Sequence, residues 1–109
     1  MVEKSIVEVV RRYINAVEES GIPVDDAVVY GSHARGEATP DSDIDLVVIS
    51  SLFDPPRDRR LTGLLWRLRA TTDSRVEPIG VGTIQWFEDN GTPLICIARQ
   101  EGEHISLAD

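Results

Sequence analysis

Ile6, Val9, Val10, Tyr13, Ile14 and Val17 recur at the spacing of one helix face, so the chain opens with an amphipathic helix. Gly21 is placed to end it, and Pro23 lies just beyond. From Ala27 to Tyr30 the β-branched and aromatic residues predict a short buried strand, and Leu46 to Ile49 closes a second one. Asp54, Pro55 and Pro56 break the chain, after which Leu61, Leu64, Leu65 and Leu68 form the stripe of another helix. A third strand is expected over Arg75 to Val81, where Pro78 removes a ladder donor and argues for an edge or an irregularity.

Thr83 is positioned to cap a short helix carrying Ile84, Trp86 and Phe87, which the Asp89-Asn90-Gly91 turn would end. Thr92 as N-cap, Pro93 at the first helical position and Gly102 past the end frame a last helix, with Leu94, Ile95, Ile97 and Ala98 on its buried side. Ile105 to Leu107 are expected to add a terminal strand. Alternating helices and strands of this kind predict an α/β (α+β) fold, a small mixed sheet flanked by helices. Strand order does not follow from the pattern.

One large apolar residue falls off these stripes. Helical geometry places Trp66 roughly 150° from the centre of the leucine stripe. Its neighbours on that side are Arg59, Thr62, Gly63 and Ala70. An aromatic among small residues with an arginine beside it has the composition of an interface centre, although a Trp lying flat on the surface satisfies the same pattern.

Length and charge narrow the function. The 109 residues fit one small domain spanning 1–109, without repeats or low-complexity tracts. With 19 acidic against 11 basic residues the formal charge is −8, which disfavours direct DNA binding and attraction to anionic membranes. A single triphosphate is still compatible, since metal ions and a few local donors can hold it. Cys96 is the only cysteine, which excludes an intrachain disulfide, and its apolar context predicts a small core residue. No apolar run is long enough to span a bilayer and no signal-peptide pattern opens the chain, so a cytoplasmic protein is expected.

Two polar elements carry the candidate chemistry. Gly31-Ser32-His33-Ala34-Arg35-Gly36 follows directly on the first strand. Gly31 permits close backbone approach, and free amides with the Ser32 hydroxyl can face phosphate oxygens. Taken alone, such a turn is ordinary punctuation. In Asp41-Ser42-Asp43-Ile44-Asp45-Leu46, Asp43 and Asp45 occupy alternate strand positions and so project from one face. Carboxylates held that close repel unless a cation lies between them, and Mg²⁺ is the natural choice. A solvated acidic strand end is the plainer reading of that segment by itself. His33 and His104 have no ligand-spaced partner and are expected at the surface or in loops.

Taken together, Gly31-Ser32-His33-Ala34-Arg35-Gly36 and Ser42-Asp43-Ile44-Asp45-Leu46 resemble the signature of the DNA polymerase β-like nucleotidyltransferase superfamily, in its minimal, stand-alone branch. The resemblance implies the polymerase β palm-like fold and gives roles to particular residues. Gly31 and Ser32 would bind the β- and γ-phosphates of ATP or another nucleoside triphosphate. Arg35 and Gly36 match the motif, with Arg35 either touching the nucleotide or anchoring the loop. Asp43 and Asp45 would ligate two Mg²⁺ ions.

The family supplies a third carboxylate, usually an aspartate, from a neighbouring strand. Glu77 is the only acidic residue inside the expected third strand, longer than aspartate by one methylene. The implied reaction is in-line attack of an acceptor hydroxyl on the α-phosphorus with release of pyrophosphate, and Glu77 completing the first metal site. Members of this branch are often paired with a helical HEPN-type ribonuclease as a toxin–antitoxin system, some adenylylating that partner. The alternatives are a degenerate nucleotide- or partner-binding module and a homo-oligomeric small-molecule enzyme of the aminoglycoside type.

Overall fold

The computed structural model describes residues 2–107; Met1, Ala108 and Asp109, at the ends of the 1–109 span, lie outside the described residues. The elements in chain order are α1 (Lys4–Glu19), β1 (Asp26–Tyr30), α2 (Ser32–Arg35), β2 (Ile44–Ile49), α3 (Arg59–Thr71), β3 (Val76–Val81), α4 (Thr83–Glu88), α5 (Pro93–Glu101) and β4 (Glu103–His104), with a 3₁₀ turn at Ser51–Phe53. The sheet is mixed, in the order β3-β2-β1-β4. β2 runs antiparallel to β1 and parallel to β3, and β4 pairs antiparallel with β1.

Helices cover both faces, and each strand divides its side chains between them. Ile44, Leu46 and Val48 of β2 join Ala27, Val29 and Val76 against α1 and α3. Val28, Val47, Ile49 and Val81 meet Trp86 of α4 with Ile95 and Ala98 of α5. Near-continuous apolar runs such as Leu46–Ile49 follow from this two-sided burial. The six α1 residues with helical spacing are all buried, each fully buried aliphatic side chain contributing about 1.5–3 kcal/mol by its removal from water. Tyr13 adds a polar tie, donating its hydroxyl to the Leu65 carbonyl at 2.6 Å, and its burial pushes the phenol's pKa up. Among the described residues no helix is long and apolar enough to cross a membrane.

β3 stands at the sheet edge, where the missing donor of Pro78 is tolerated. Other expectations are corrected. The terminal strand is Glu103–His104 rather than Ile105 to Leu107. α5 ends against β1, so pairing starts at once, and Ile105 donates to Ala27 O at 2.9 Å before turning into the core. Gly82 rather than Thr83 stands at the N-cap of α4, and the capping carboxylate comes from Asp54, which accepts from the Ile84 and Gln85 amides at 3.0 and 3.1 Å. The Thr83 hydroxyl instead donates to Asp25 at 2.6 Å.

Of the α4 side chains only Trp86 is buried; Ile84 and Phe87 are 60% and 73% exposed. Ile97 is 46% exposed because it lies on the side of α5 opposite Ile95. Cys96 is half-buried rather than core, its thiol donating toward Asn90 O at 3.5 Å. Trp66 faces outward as expected, at 37% exposure, but the arginine on its ring is Arg69, with the guanidinium 4.8 Å from the centroid, rather than Arg59.

Candidate functional site

Strand register assembles the site. Asp45 pairs with Tyr30 on the β1 side and with Glu77 on the β3 side, so the three stand in one row across the sheet. Their side chains share the face of Val28, Val47 and Val81, since residues two apart project alike. Asp43 lies just before β2 rather than inside it, yet its carboxyl comes within hydrogen-bonding reach of Glu77. Sequence spacing placed Asp43 beside Asp45; only the parallel β2–β3 pairing brings Glu77 to both.

The electrostatics are those of crowded carboxylates. Partial burial, then the charge of Asp43, hold the Asp45 pKa above the usual carboxylate range, with His33 and Arg35 opposing. Glu77 is pushed up by burial, by the charge of Asp43 and the hydrogen bond with it, and by Asp45, with Arg69 opposing. Tyr30 is pushed up to about 12 by burial and by the charges of Asp45 and Glu77. It therefore keeps its proton at neutral pH and offers a donor at the edge of the carboxylate row. Sequence reasoning passed over Tyr30 because it ends a strand like any buried aromatic. Its place directly before the Gly31 turn was the available signal.

Gly31 begins the turn with φ 76° and ψ −149°, a conformation essentially reserved to glycine. A methyl group on its Cα would overlap Asp45 Oδ2, so the turn and the carboxylate row are packed directly together. The one-turn helix α2 follows, its Ala34 and Arg35 amides bonded to Gly31 O at 3.1 Å. The amides of Ser32 and His33 have no acceptor among the described residues.

Arg35 is engaged on both sides, with Glu37 at 2.9 Å and Glu101 at 3.0 Å. Of the two roles open to it, the geometry matches the loop anchor. His33 corrects the expectation of a surface residue: it is only 8% exposed, tucked beneath α2 with Nε2 3.5 Å from Ser42 O. Glu101, at the far end of α5, was not singled out from the sequence, because nothing local connects it to Gly31 seventy residues earlier.

Among the described residues no three His, Cys, Asp or Glu side chains already surround one point at metal-ligand distance. The donor set nevertheless suits a hard cation. It is all oxygen and its charges repel, the chemistry of a site that takes a divalent cation together with oxygen ligands from elsewhere.

Known proteins bear on this arrangement in two ways. Several solved structures share the fold. One is a protein assigned to the nucleotidyltransferases of Sulfolobus solfataricus (TM-score 0.57, 16% identity, 72% of this chain and 68% of that chain). Two more are a toxin–antitoxin with AMP-PNP (TM-score 0.55, 19% identity) and a mutant of the toxin–antitoxin MntA-HpeT (TM-score 0.56, 16% identity), each over 91% of this chain and 74% of the other. No curated protein matches the chain significantly. The profile of the nucleotidyltransferase domain family matches residues 10–93, from α1 through the carboxylate row to the start of α5. With well over half its length so matched, the chain belongs to the nucleotidyltransferase domain family and is a transferase enzyme.

Proposed function

We propose that this nucleotidyltransferase binds ATP with Mg²⁺ and transfers AMP to an acceptor hydroxyl presented by a protein partner, releasing pyrophosphate. The observation that carries the reading is the row Tyr30–Asp45–Glu77, with Asp43 within reach of Glu77 and Gly31 packed on Asp45. A phosphate-binding turn and a set of oxygen ligands thus lie side by side.

Asp43, Asp45 and Glu77 are assigned as ligands of two Mg²⁺ ions, which when bound neutralise the triphosphate and acidify the acceptor hydroxyl. The Ser32 hydroxyl and the Ser32 and His33 amides are assigned to the β- and γ-phosphates, with Gly31 allowing the close approach. Arg35 holds the turn through Glu37 and Glu101. Glu77, within hydrogen-bonding reach of Asp43, is also assigned as the carboxylate that takes the proton leaving the acceptor.

The toxin–antitoxin complexes among the similar structures support the choice of acceptor. On this reading the chain is the antitoxin of a HEPN/MNT pair in the cytoplasm, and the hydroxyl belongs to the HEPN-type toxin. A charge of −8 suits a partner that must itself be cationic where it meets RNA.

The test has two stages. In thermal-shift measurements ATP plus Mg²⁺ stabilises the protein clearly more than either alone, and the Asp43→Asn/Asp45→Asn double variant loses that difference. Equal stabilisation of the double variant overturns the metal assignment. Labelled ATP incubated with the protein encoded in the adjoining reading frame then gives label on that partner. Binding without transfer returns the chain to a binding module, and an acceptor pocket completed only across a homodimer points to a small-molecule substrate.

A further inference from the structure

Glu101 closes α5 and lies beyond residues 10–93, the segment shared with the family profile. One of its oxygens, Oε1, accepts from the Gly31 amide at 3.2 Å and from Arg35 Nη1 at 3.0 Å. These donors stand at the two ends of α2, Gly31 immediately before it and Arg35 its last residue. A single carboxylate therefore staples the whole turn.

The staple is held in place from behind. A Cβ on Gly102 would overlap both Ala98 O and Val28 Cγ1, so the end of α5 is pressed onto β1 and Glu101 is delivered beside Gly31. On the other side of the turn, the Gly31 Cα abuts Asp45. The Gly31 peptide is fixed from two directions: its amide is turned to Glu101 and its Cα to the carboxylate row. With the Gly31 amide taken, the Ser32 and His33 amides are left for a ligand.

We propose that Glu101 is a positioning residue for the nucleotide: it does not meet the triphosphate, but fixes the Gly31–Arg35 turn against Asp45 so that Ser32 and His33 face the phosphates. The proposal rests on the reading of that turn as the triphosphate site. Both Glu101 and Arg35 retain solvent access, and ion pairs of that kind add little to folding stability. Loss of the staple should therefore appear in nucleotide affinity rather than in folding.

The experiment compares Glu101→Ala, Glu101→Gln and Glu101→Asp with the wild type in three readouts. These are the Kd for ATP with Mg²⁺, the ligand-free melting midpoint, and the NMR resonance of the Gly31 amide. Glu101→Ala should weaken binding about tenfold, the scale of losing a group that orients a ligand-binding residue. Glu101→Gln keeps an oxygen acceptor for the Gly31 amide and should recover most of the affinity. Glu101→Asp keeps the charge but is too short to reach both donors, so it should behave like Glu101→Ala and serves if the alanine variant does not fold.

The Gly31 amide resonance should move upfield in the alanine and aspartate variants and stay near its wild-type place in Glu101→Gln, while all ligand-free midpoints stay close. Wild-type affinity in Glu101→Ala overturns the proposal, and tighter binding overturns it in favour of Glu101 competing with phosphate. A wild-type protein that binds no ATP overturns the triphosphate reading itself, and the proposal with it; that failure is recognised before any variant is compared.

Discussion

Gly31 stands so close to Asp45 that there is no room between them for a side chain: a Cβ on Gly31 would overlap Asp45 Oδ2 and stand 3.3 Å from its Cγ. The same residue has a φ of 76° that other side chains rarely adopt. Gly31→Ala therefore incurs backbone strain of about 1–3 kcal/mol and displaces the Asp45 carboxylate. Urea denaturation should record the loss, and the joint stabilisation by ATP and Mg²⁺ should largely disappear. An alanine variant with wild-type stability and wild-type nucleotide response contradicts the contact.

Glu77→Gln separates two roles of one carboxylate. On the proposed assignment, nucleotide affinity rests on Ser32, Asp43 and Asp45 and should be largely spared, while transfer falls by about 10² or more because the proposed metal ligand and proton acceptor are lost together. The substitution also has a sign in stability. Because the folded-state pKa values of Glu77 and Asp45 are raised, these two groups hold their protons to higher pH in the folded chain than in the unfolded one, and their contribution to stability falls as pH rises through that window. In chelator-treated protein Glu77→Gln should melt higher than wild type at about pH 7, with the gap closing as pH drops to the ordinary carboxylate range near 4. Unchanged transfer, or a gap that widens on acidification, contradicts the assignment.

Trp66 is outward-facing, with Arg69 stacked on its ring. An exposed cation–π pair is worth about 0.5–1 kcal/mol, and with the partial burial of the ring Trp66→Ala should lower the monomer's unfolding free energy by no more than about 2 kcal/mol. Self-association or binding to the partner, followed by analytical ultracentrifugation, should weaken. A loss of several kcal/mol from the monomer would mean that the ring is part of the core.

Asp54 caps α4 from the loop after β2, and a Cβ on Gly82 would overlap its carboxylate. Asp54→Ala should cost about 1 kcal/mol, the usual worth of an N-cap side chain, with Asp54→Asn recovering most of it. Equal stability of the alanine variant in urea denaturation would remove Asp54 from the cap.

Periodicity and local chemistry alone determined much of this protein. The α1 stripe from Ile6 to Val17, the buried runs of β1 and β2, the leucine face of α3 and the glycine-bearing turn before Asp43 and Asp45 are dictated by residues within a few positions of one another. Pro78 pointed to an edge or an irregularity because a missing amide is a local fact, and β3 stands at the edge. Helix phase also placed Trp66 outward. Where a short helix met several apolar residues, however, the pattern could not choose the buried ones: α4 buries Trp86 and exposes Ile84 and Phe87, and α5 turns Ile97 away.

The tertiary structure decided everything that depends on strands or helix ends meeting across the chain. Parallel pairing of β2 with β3 sets Glu77 opposite Asp45, and antiparallel pairing of β1 sets Tyr30 on its other side. Packing of α5 on β1 carries Glu101 to Gly31 and Arg35, burial of α2 draws His33 beneath it, and early pairing after Gly102 moves the last strand to Glu103–His104. These contacts join residues far apart in the chain, 70 positions in the case of Glu101 and Gly31. Their partners are chosen by sheet register and layer packing, which local spacing along a single chain does not encode.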